Sequence, residues 1–464
     1  MIELGLQRIS RLLSKAPLPW KAVHVAGTNG KGSVCTYVSD MLNTYNRSKW
    51  RQRSGHAMLR HGRFTSPHLI NRWDCISLSN EDEMKTVPKA LFHDVEESVQ
   101  SINKQHHIEA SEFELLTATA FTIFTRSSLD LAVVETGMGG RLDATNILGQ
   151  ISTDHVNREG IDMATFRPRP LVTAITKIGL DHQAFLGDTI EAIAREKAGI
   201  MKPGVPVLYD RTNQPSVRQV LKESAQAMGF SRAMLDAYDP PGNDAPLQNL
   251  GPGQEPMHVA TNGQLAFEAT MYALISLGRI SPSANPTPED QAAHTELMQD
   301  LSKAYRQTRV PGRLERINIE VSSGSSKEIL LDGAHNAQSA GVLGQYVDAQ
   351  RKAAQPVTWL LAASDTKDVK EMLQQLLQPG DKVCAVEFGP VDGMPWVKPM
   401  AVAQITAAAK QVVPELQHAQ ECGTDVRGAL QSAIAAAGDD GLVVAAGSLY
   451  LVGDIHRLQA GDHD

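Results

Sequence analysis

The sequence predicts an α/β protein. A mostly parallel sheet domain with helices on both faces and a phosphate-binding loop (a P-loop) is followed by a smaller Rossmann-like α/β domain at the C-terminus. Three observations carry this expectation. Short apolar runs of buried-strand type alternate with helical stretches between residues 22 and 209, the pattern of strands joined by crossover helices. The first of these runs enters a glycine-rich turn that opens a helix, the setting a phosphate-binding loop requires. The alternation then resumes beyond Pro311-Gly312. A length of 464 residues suggests two to four domains, at about 100–200 residues each. The boundary is placed near residue 308, giving domains 1–308 and 309–464.

The N-terminal stretch MIELGLQRISRLL has apolar residues at helical spacing. It lacks signal-peptide architecture and is expected to belong to the fold. Residues 22–26 read as a strand, 27–33 as the Gly-rich turn and 34–42 as an amphipathic helix. A helix over 115–124 leads to a continuous apolar strand, 129–135, that ends in Glu135. The loop TGMGGRLDATN follows. Residues 171–178 form another buried-type strand ending in GLDH. A helix over 189–198 is stopped by Gly199 and by Pro203-Gly204, and 205–209 is again a strand. Ligands in such sheets bind beyond the carboxyl ends of the strands, where the three loops just named lie. Residues 239–257 and 281–290 are Pro-rich connections. A helix ends near Tyr305 and is broken at Pro311-Gly312. The second unit has candidate strands at 329–332, 358–362, 382–386 and 442–445, with Ala/Gln-rich helices between. Two stretches, 45–61 and 149–168, are aperiodic and are expected to loop out from the sheet.

Composition narrows the function. Lys+Arg 44 against Asp+Glu 52 gives a net charge of −8, which argues against a nucleic-acid backbone as the main partner. A hydrophobic fraction of 42% is that of a globular chain. No apolar run reaches the ~18–20 residues needed to span a bilayer. The four cysteines are far apart and form no CxxC pair, so a disulfide framework and a paired-cysteine zinc site are both disfavoured. A cytosolic enzyme acting on small molecules is the expectation.

The segment AGTNGKGS (26–33) is the first chemical signal. Glycines let backbone N–H groups approach phosphate oxygens, and Lys31 lies within reach of the β- and γ-phosphates. Gly32 separates Lys31 from Ser33, a departure from the GxxxxGK[ST] spacing. Glu135 ends a buried strand, where a carboxylate needs a partner or a cation. His182 follows the next strand and is either a ligand at the same place or structural. Ser66, in TSPHL, reads by itself as a turn serine, and Lys197 by itself as a solvated lysine. Asp332, at the end of an apolar strand, either touches a ligand or caps the next helix. Arg313 either reaches a phosphate or pairs with Glu315.

AGTNGKGS, FTSPHL, VVETGMGGRLDATN, ITKIGLDH, AREKAGIMKPG, VPGRLER and LLDGAHN occur in this order. In that order they resemble the folylpolyglutamate synthase/dihydrofolate synthase family of the ATP-dependent Mur ligase superfamily, from about residue 2 to VVAAGSLYLVGDI at 443–455. The resemblance implies that Thr28, Asn29, Gly30, Lys31, Gly32 and Ser33 hold the ATP phosphates. It implies Mg²⁺ on Ser66, Glu135 and His182. It matches Lys197 to a lysine that is carbamylated in the family, Asn262 to a nucleotide-contacting asparagine, and Arg313 and Asp332 to ATP contacts from the C-terminal domain. Glu3 and Leu4, Ser111, Glu112, Phe113 and Glu114, and Leu142, Asp143 and Ala144 match segments lining the pterin site. Lys31, Lys197 and His182 are the expected catalytic residues. Residues 45–58 and 149–168 depart from the family pattern. They are substrate-covering loops, solvent-exposed insertions or sequence retained by faulty splicing.

The implied activity is that of a dihydrofolate synthase, joining L-glutamate to dihydropteroate with ATP and Mg²⁺ through an acyl phosphate. The opening IELGLQRI favours this over a folylpolyglutamate synthase, which would extend tetrahydrofolate, or a bifunctional enzyme. A plain P-loop NTPase explains the glycine-rich loop but neither Lys197 nor the second domain. A cell-wall amino-acid ligase shares the chemistry but not the TSPHL and ETGMGGRLDATN wording. A regulatory relative without activity would have lost Lys31, Glu135, His182 or Lys197, and all four are present. The family leans to a monomer in the cytoplasm, with a mitochondrial form as the alternative.

Overall fold

The computed structural model describes residues 5–80, 83–150, 156–157, 160–161, 167–232, 234–235, 256–280, 287–322, 325–351, 355–416 and 418–461. The expected pterin residues Glu3 and Leu4 lie outside these, as do 239–255, 281–286 and most of 149–168. The chain divides into two compact units. One is Met1–His68 with Trp73–Thr308, and the other is Leu69–Arg72 with Arg309–Asp464.

The first unit is built on β1 (Lys21–Ala26), β2 (His61–Phe64), β3 (Ile76–Asn80), β4 (Glu83–Thr86) and β5 (Leu131–Glu135). A separate two-residue hairpin, β6 (Val156–Asn157) and β7 (Gly160–Ile161), precedes β8 (Val172–Ile175) and β9 (Val207–Tyr209). The spatial order is β4-β3-β2-β5-β1-β8-β9. The pairs from β2 through β9 are parallel, and β3 and β4 extend the edge antiparallel. KAVHVA, LAVVE and VTAI are buried almost throughout, as strands covered on both faces must be. One face carries Phe64, Ala132 and Val134 into a core with Phe92, Phe121 and Trp20 from the Lys89–Gln105 helix, the Glu112–Arg126 helix and the chain before β1. On the other face His61 Nε2 meets Asn43 Oδ1 at 3.0 Å, so the Lys31–Arg47 helix lies there.

The second unit has β10 (Glu315–Ser322), β11 (Ser325–Leu331), β12 (Val357–Leu361), β13 (Lys382–Ala385), β14 (His418–Glu421) and β15 (Leu442–Ala446). Their order is β10-β11-β15-β12-β13-β14, parallel except for the β10–β11 pair. Separate cores cover its two faces. Two mostly parallel sheets with helices between the strands bear out the expected fold class.

Three expectations need correction. The stretch 45–61 does not loop out from the sheet. It finishes the Lys31–Arg47 helix, forms a second helix at Lys49–Arg53, and reaches β2 at His61. Trp50 is buried there, its Nε1 donating to Arg279 O at 3.0 Å and its ring edge-on to His294. The helix after the Gly-rich turn starts at Lys31, three residues early, because Gly30 at φ +91 turns the chain just before it. The connection at 281–290 is already helical from Pro288, capped by Thr287 with Asp290.

Candidate active site

The phosphate loop takes its shape from the neighbouring strand. Thr28 N and Asn29 N both donate to Lys177 O, at 2.8 and 3.1 Å. Thr28 Oγ1 donates to Gly179 O at 3.1 Å, and Thr176 Oγ1 donates to Asn29 O at 2.8 Å. A Cβ at Gly30 would stand 2.6 Å from the Asn262 side chain, so that buried asparagine closes directly over the turn. Lys31, Gly32 and Ser33 form the first helical turn. Lys31 Nζ donates to Thr28 O at 3.3 Å and stands 3.8 Å from Glu135 Oε1.

Glu135 is only 3% exposed. β5 and β1 are neighbours in parallel register, with Glu135 opposite Val25, and this sets the carboxylate beside the loop that β1 feeds. Ser66 N donates to Glu135 Oε2 at 3.1 Å. A buried carboxylate and a hydroxyl residue next to it, beside a glycine-rich loop, are groups that could hold a hard cation such as Mg²⁺. His182 is held differently. It has φ +54, a side chain 45% exposed, and Nε2 3.9 Å from Asp181 Oδ2. No three His, Cys, Asp or Glu side chains among the described residues group closely enough to hold a metal ion, so Glu135, Asp181 and His182 do not form such a group.

Lys197 is not a solvated lysine. It is 4% exposed, and its Nζ donates to Gly27 O, the first carbonyl of the turn, at 2.6 Å. Burial, reinforced by the charge of Lys31, pulls its pKa down to about 7 against the opposing pull of Asp181 and Asp143. The GGRLDATN loop seats against the end of the same helix. Arg141 N donates to Glu196 O at 2.8 Å, and Asn146 Nδ2 to Gly199 O at 3.1 Å. A Cβ at Gly140 would come within 2.8 Å of the Glu196 and Lys197 carbonyls. Asp143 is buried, receives Met138 N and Thr145 N at 2.8 and 3.0 Å, and has its pKa raised by burial. Leu142 is half-buried and Ala144 buried beside it.

In the SEFE segment, Ser111 and Glu114 form the capping box of the Glu112–Arg126 helix, and Arg8 Nε donates to Glu114 Oε2 at 2.9 Å. Glu112 is exposed. Phe113 stacks on Phe64 at 6.1 Å between ring centroids and lies against Gly137. In the second unit, Asp332 does not cap the helix after it, because Asn336 does so. Its Oδ1 accepts from Ala334 N and its Oδ2 from Leu314 N, both at 2.8 Å, and burial raises its pKa. Glu315 accepts from Gly312 N and His456, which leaves Arg313 exposed and its Nη1 donating to Gly312 O.

Residues 315–458 match a family model described as dihydrofolate synthetase, C-terminal domain. Over 98% of both chains the sequence is 33% identical to a probable dihydrofolate synthetase of Schizosaccharomyces pombe. It is 34% identical, over the same shares, to a dihydrofolate synthetase of Saccharomyces cerevisiae. The chain belongs to the dihydrofolate synthase/folylpolyglutamate synthase family. The fold of that family extends to a solved Mycobacterium tuberculosis folylpolyglutamate synthase, complexed with ADP and AMPPCP. That structure is 25% identical, with a TM-score of 0.68 over 98% of this chain and 95% of that one. Family membership bears out the resemblance read from the ordered motifs.

Sequence reading missed Arg63 and Lys177. Arg63 is a charged residue on β2, where the two-residue alternation marks it as facing the Lys31–Arg47 helix. Lys177 supplies the carbonyl that anchors the phosphate loop, a backbone role that no side-chain pattern announces.

Proposed function

We propose that this chain joins L-glutamate to dihydropteroate at the expense of ATP. The observation that carries the reading is the gathering of Lys31, Glu135, Ser66 and Lys197 around one glycine-rich turn. The full-length similarity to dihydrofolate synthetases supports the acceptor. Residues 1–308 act as the ATP-binding domain.

A carboxylate is a poor electrophile until ATP activates it. Transfer of the γ-phosphoryl group to the pteroate carboxylate gives an acyl phosphate and ADP. The glutamate amine then attacks the acyl carbon and phosphate leaves. Negative charge accumulates at one place in both steps. Thr28 to Ser33 present N–H groups to it, and Lys31 swings from Glu135 to the phosphates. Ser66, Glu135 and His182 would hold Mg²⁺, which when bound would neutralise charge on the phosphoryl oxygens. Asn262 keeps the turn closed over the nucleotide. Ser111 to Glu114 and Leu142 to Ala144 line the pterin side, with Phe113 offering a ring face.

Lys197 is carbamylated in this reading. Carbon dioxide adds only to a neutral amine, and the lowered pKa of Lys197 supplies one near neutrality. Among the described residues no helix is long and apolar enough to cross a membrane. A monomer working in the cytoplasm on small molecules completes the reading.

Phosphate release with MgATP and L-glutamate, comparing dihydropteroate with tetrahydrofolate and weighing the products, tests it. Turnover with dihydropteroate and a product heavier by one glutamyl residue is expected. Turnover with tetrahydrofolate alone would move the assignment to folylpolyglutamate synthase, and turnover with both would make the enzyme bifunctional. Glutamate-independent hydrolysis without a ligated product would leave a plain NTPase.

A further inference from the structure

Arg63 has no role in the chemistry described so far. Its neighbours on β2 face the aromatic core, since Gly62 lies against Phe124 and Leu129 and Phe64 packs with Phe121. Alternation therefore turns His61 and Arg63 toward the Lys31–Arg47 helix, as the His61–Asn43 contact requires. On adjacent β5, Arg63 is level with Val133, and Glu135 lies two residues further on the same face. The helix crosses above, with Gly32 3.5 Å from Glu135 Oε2 as measured from its would-be Cβ.

Arg63 thus lies under the helix between Asn43 and Gly32, where burial lowers its pKa and the carboxylates of Asp40 and Glu135 pull the other way. Its Nη2 also approaches Ser77 Oγ at 3.5 Å. Asp40 in turn accepts from Thr308 Oγ1 at 2.6 Å. Two cations from different elements therefore bear on Glu135. Lys31 sits on the phosphate loop and has a second task there. Arg63 is on a central strand, and its place does not depend on the nucleotide.

On the nucleotide-binding reading given above, we propose that Arg63 is a positioning residue for Glu135, the fixed cation that balances and aims this carboxylate once Lys31 turns to the phosphates. Its loss would weaken the metal-dependent part of nucleotide binding and leave the phosphate loop intact.

The test measures binding of a non-hydrolysable ATP analogue to the full chain by calorimetry, as a function of Mg²⁺, for the wild type, R63M and R63K. R63M is expected to raise the Mg²⁺ concentration for half-maximal binding by about tenfold, the usual loss when a partner of a metal ligand is removed. Metal-free binding should change less than about twofold, and R63K should recover most of the loss because it restores the charge. In turnover the Mg²⁺ requirement should rise while KM for L-glutamate holds. An unchanged Mg²⁺ midpoint in R63M overturns the proposal, as does an equal loss with and without metal, which would mean a damaged loop. Should R63M not fold, a wild-type midpoint in R63Q would overturn the proposal equally. A wild-type chain that binds no analogue would overturn the nucleotide reading itself, whereas a binding wild type with an indifferent R63M overturns only the role of Arg63.

Discussion

At the scale of single residues, burial decides which groups stay neutral. His61 and His24 are fully buried, and burial pulls both pKa values down to about 3 from the ordinary 6.5. The unfolded chain therefore takes up protons below about pH 6.5 that the folded chain refuses, so stability falls as pH falls from there toward 3. For H61Q, the slope of unfolding free energy against pH between about pH 4 and 5.5 should drop by roughly 1.4 kcal/mol per pH unit, one proton's worth. Chemical denaturation at several pH values measures this. An unchanged slope would mean that His61 is protonated in the folded state. Lys197 has the same sign at a higher window. With its folded pKa near 7, the chain gains stability from this group as pH rises from about 7 toward 10.5. Side-chain roles of this kind were the part of the site least open to sequence reading. Glu135 and Lys31 were legible because their position at a strand end and in a Gly-rich turn is itself the signal. Lys197 alone reads as a surface helix residue, because nothing local says that the Gly27 carbonyl will cover it.

At the scale of elements, the loop after β5 and the helix bearing Lys197 fit together only because both carry glycine at the seam. A Cβ on Gly199 would lie 2.3 Å from Arg141 Cβ and 2.5 Å from its Cα. Backbone there cannot yield without moving the LDATN loop. G199A is expected to cost about 1–3 kcal/mol, the range for overpacking, and to reduce activity by shifting Lys197 against Gly27. G204A is the control. Its φ of +73 carries strain, but the nearest atom to the added Cβ is 4.0 Å away, so it should cost only about 1–2 kcal/mol with activity retained. Thermal denaturation and phosphate release on both variants decide this, and equal losses of activity would dismiss the seam. Strands covered on both faces and capped helices were legible in the sequence. The Lys49–Arg53 helix was not. Five residues give no period, and what holds it is distant in the chain: Trp50 on Arg279, Lys49 with Glu296 and Arg53 with Asp290. β10 differs, since RINIEV alternates apolar and polar residues with period two and its strand signal lies in that alternation and not in an apolar run.

At the scale of the molecule, the two units have their own cores and their own buried charges. In the second unit Asp381 is wholly buried under β12 and β13. It accepts from Arg351 Nη1 and Nη2 at 2.6 and 2.8 Å, from Val357 N and Trp359 Nε1 at 2.9 Å, and from Gln378 N at 3.1 Å. Removing it would leave the Arg351 guanidinium with Asp348 alone and strand three N–H groups, and breaking such a buried pair typically costs about 3–5 kcal/mol. That loss is a large fraction of a domain's net stability, so it should be felt by the whole of the second unit. The clusters that cover the two faces of its sheet are built from residues of the second unit. D381A is therefore expected to speed amide hydrogen exchange throughout β11, β12, β13 and β15 while leaving β1, β5 and β8 at wild-type protection. In calorimetry one of two unfolding transitions should move to lower temperature. Equal loss of protection in both sheets would instead mean that the units unfold as one cooperative body, with β1, β5 and β8 sharing every stability defect of the second unit.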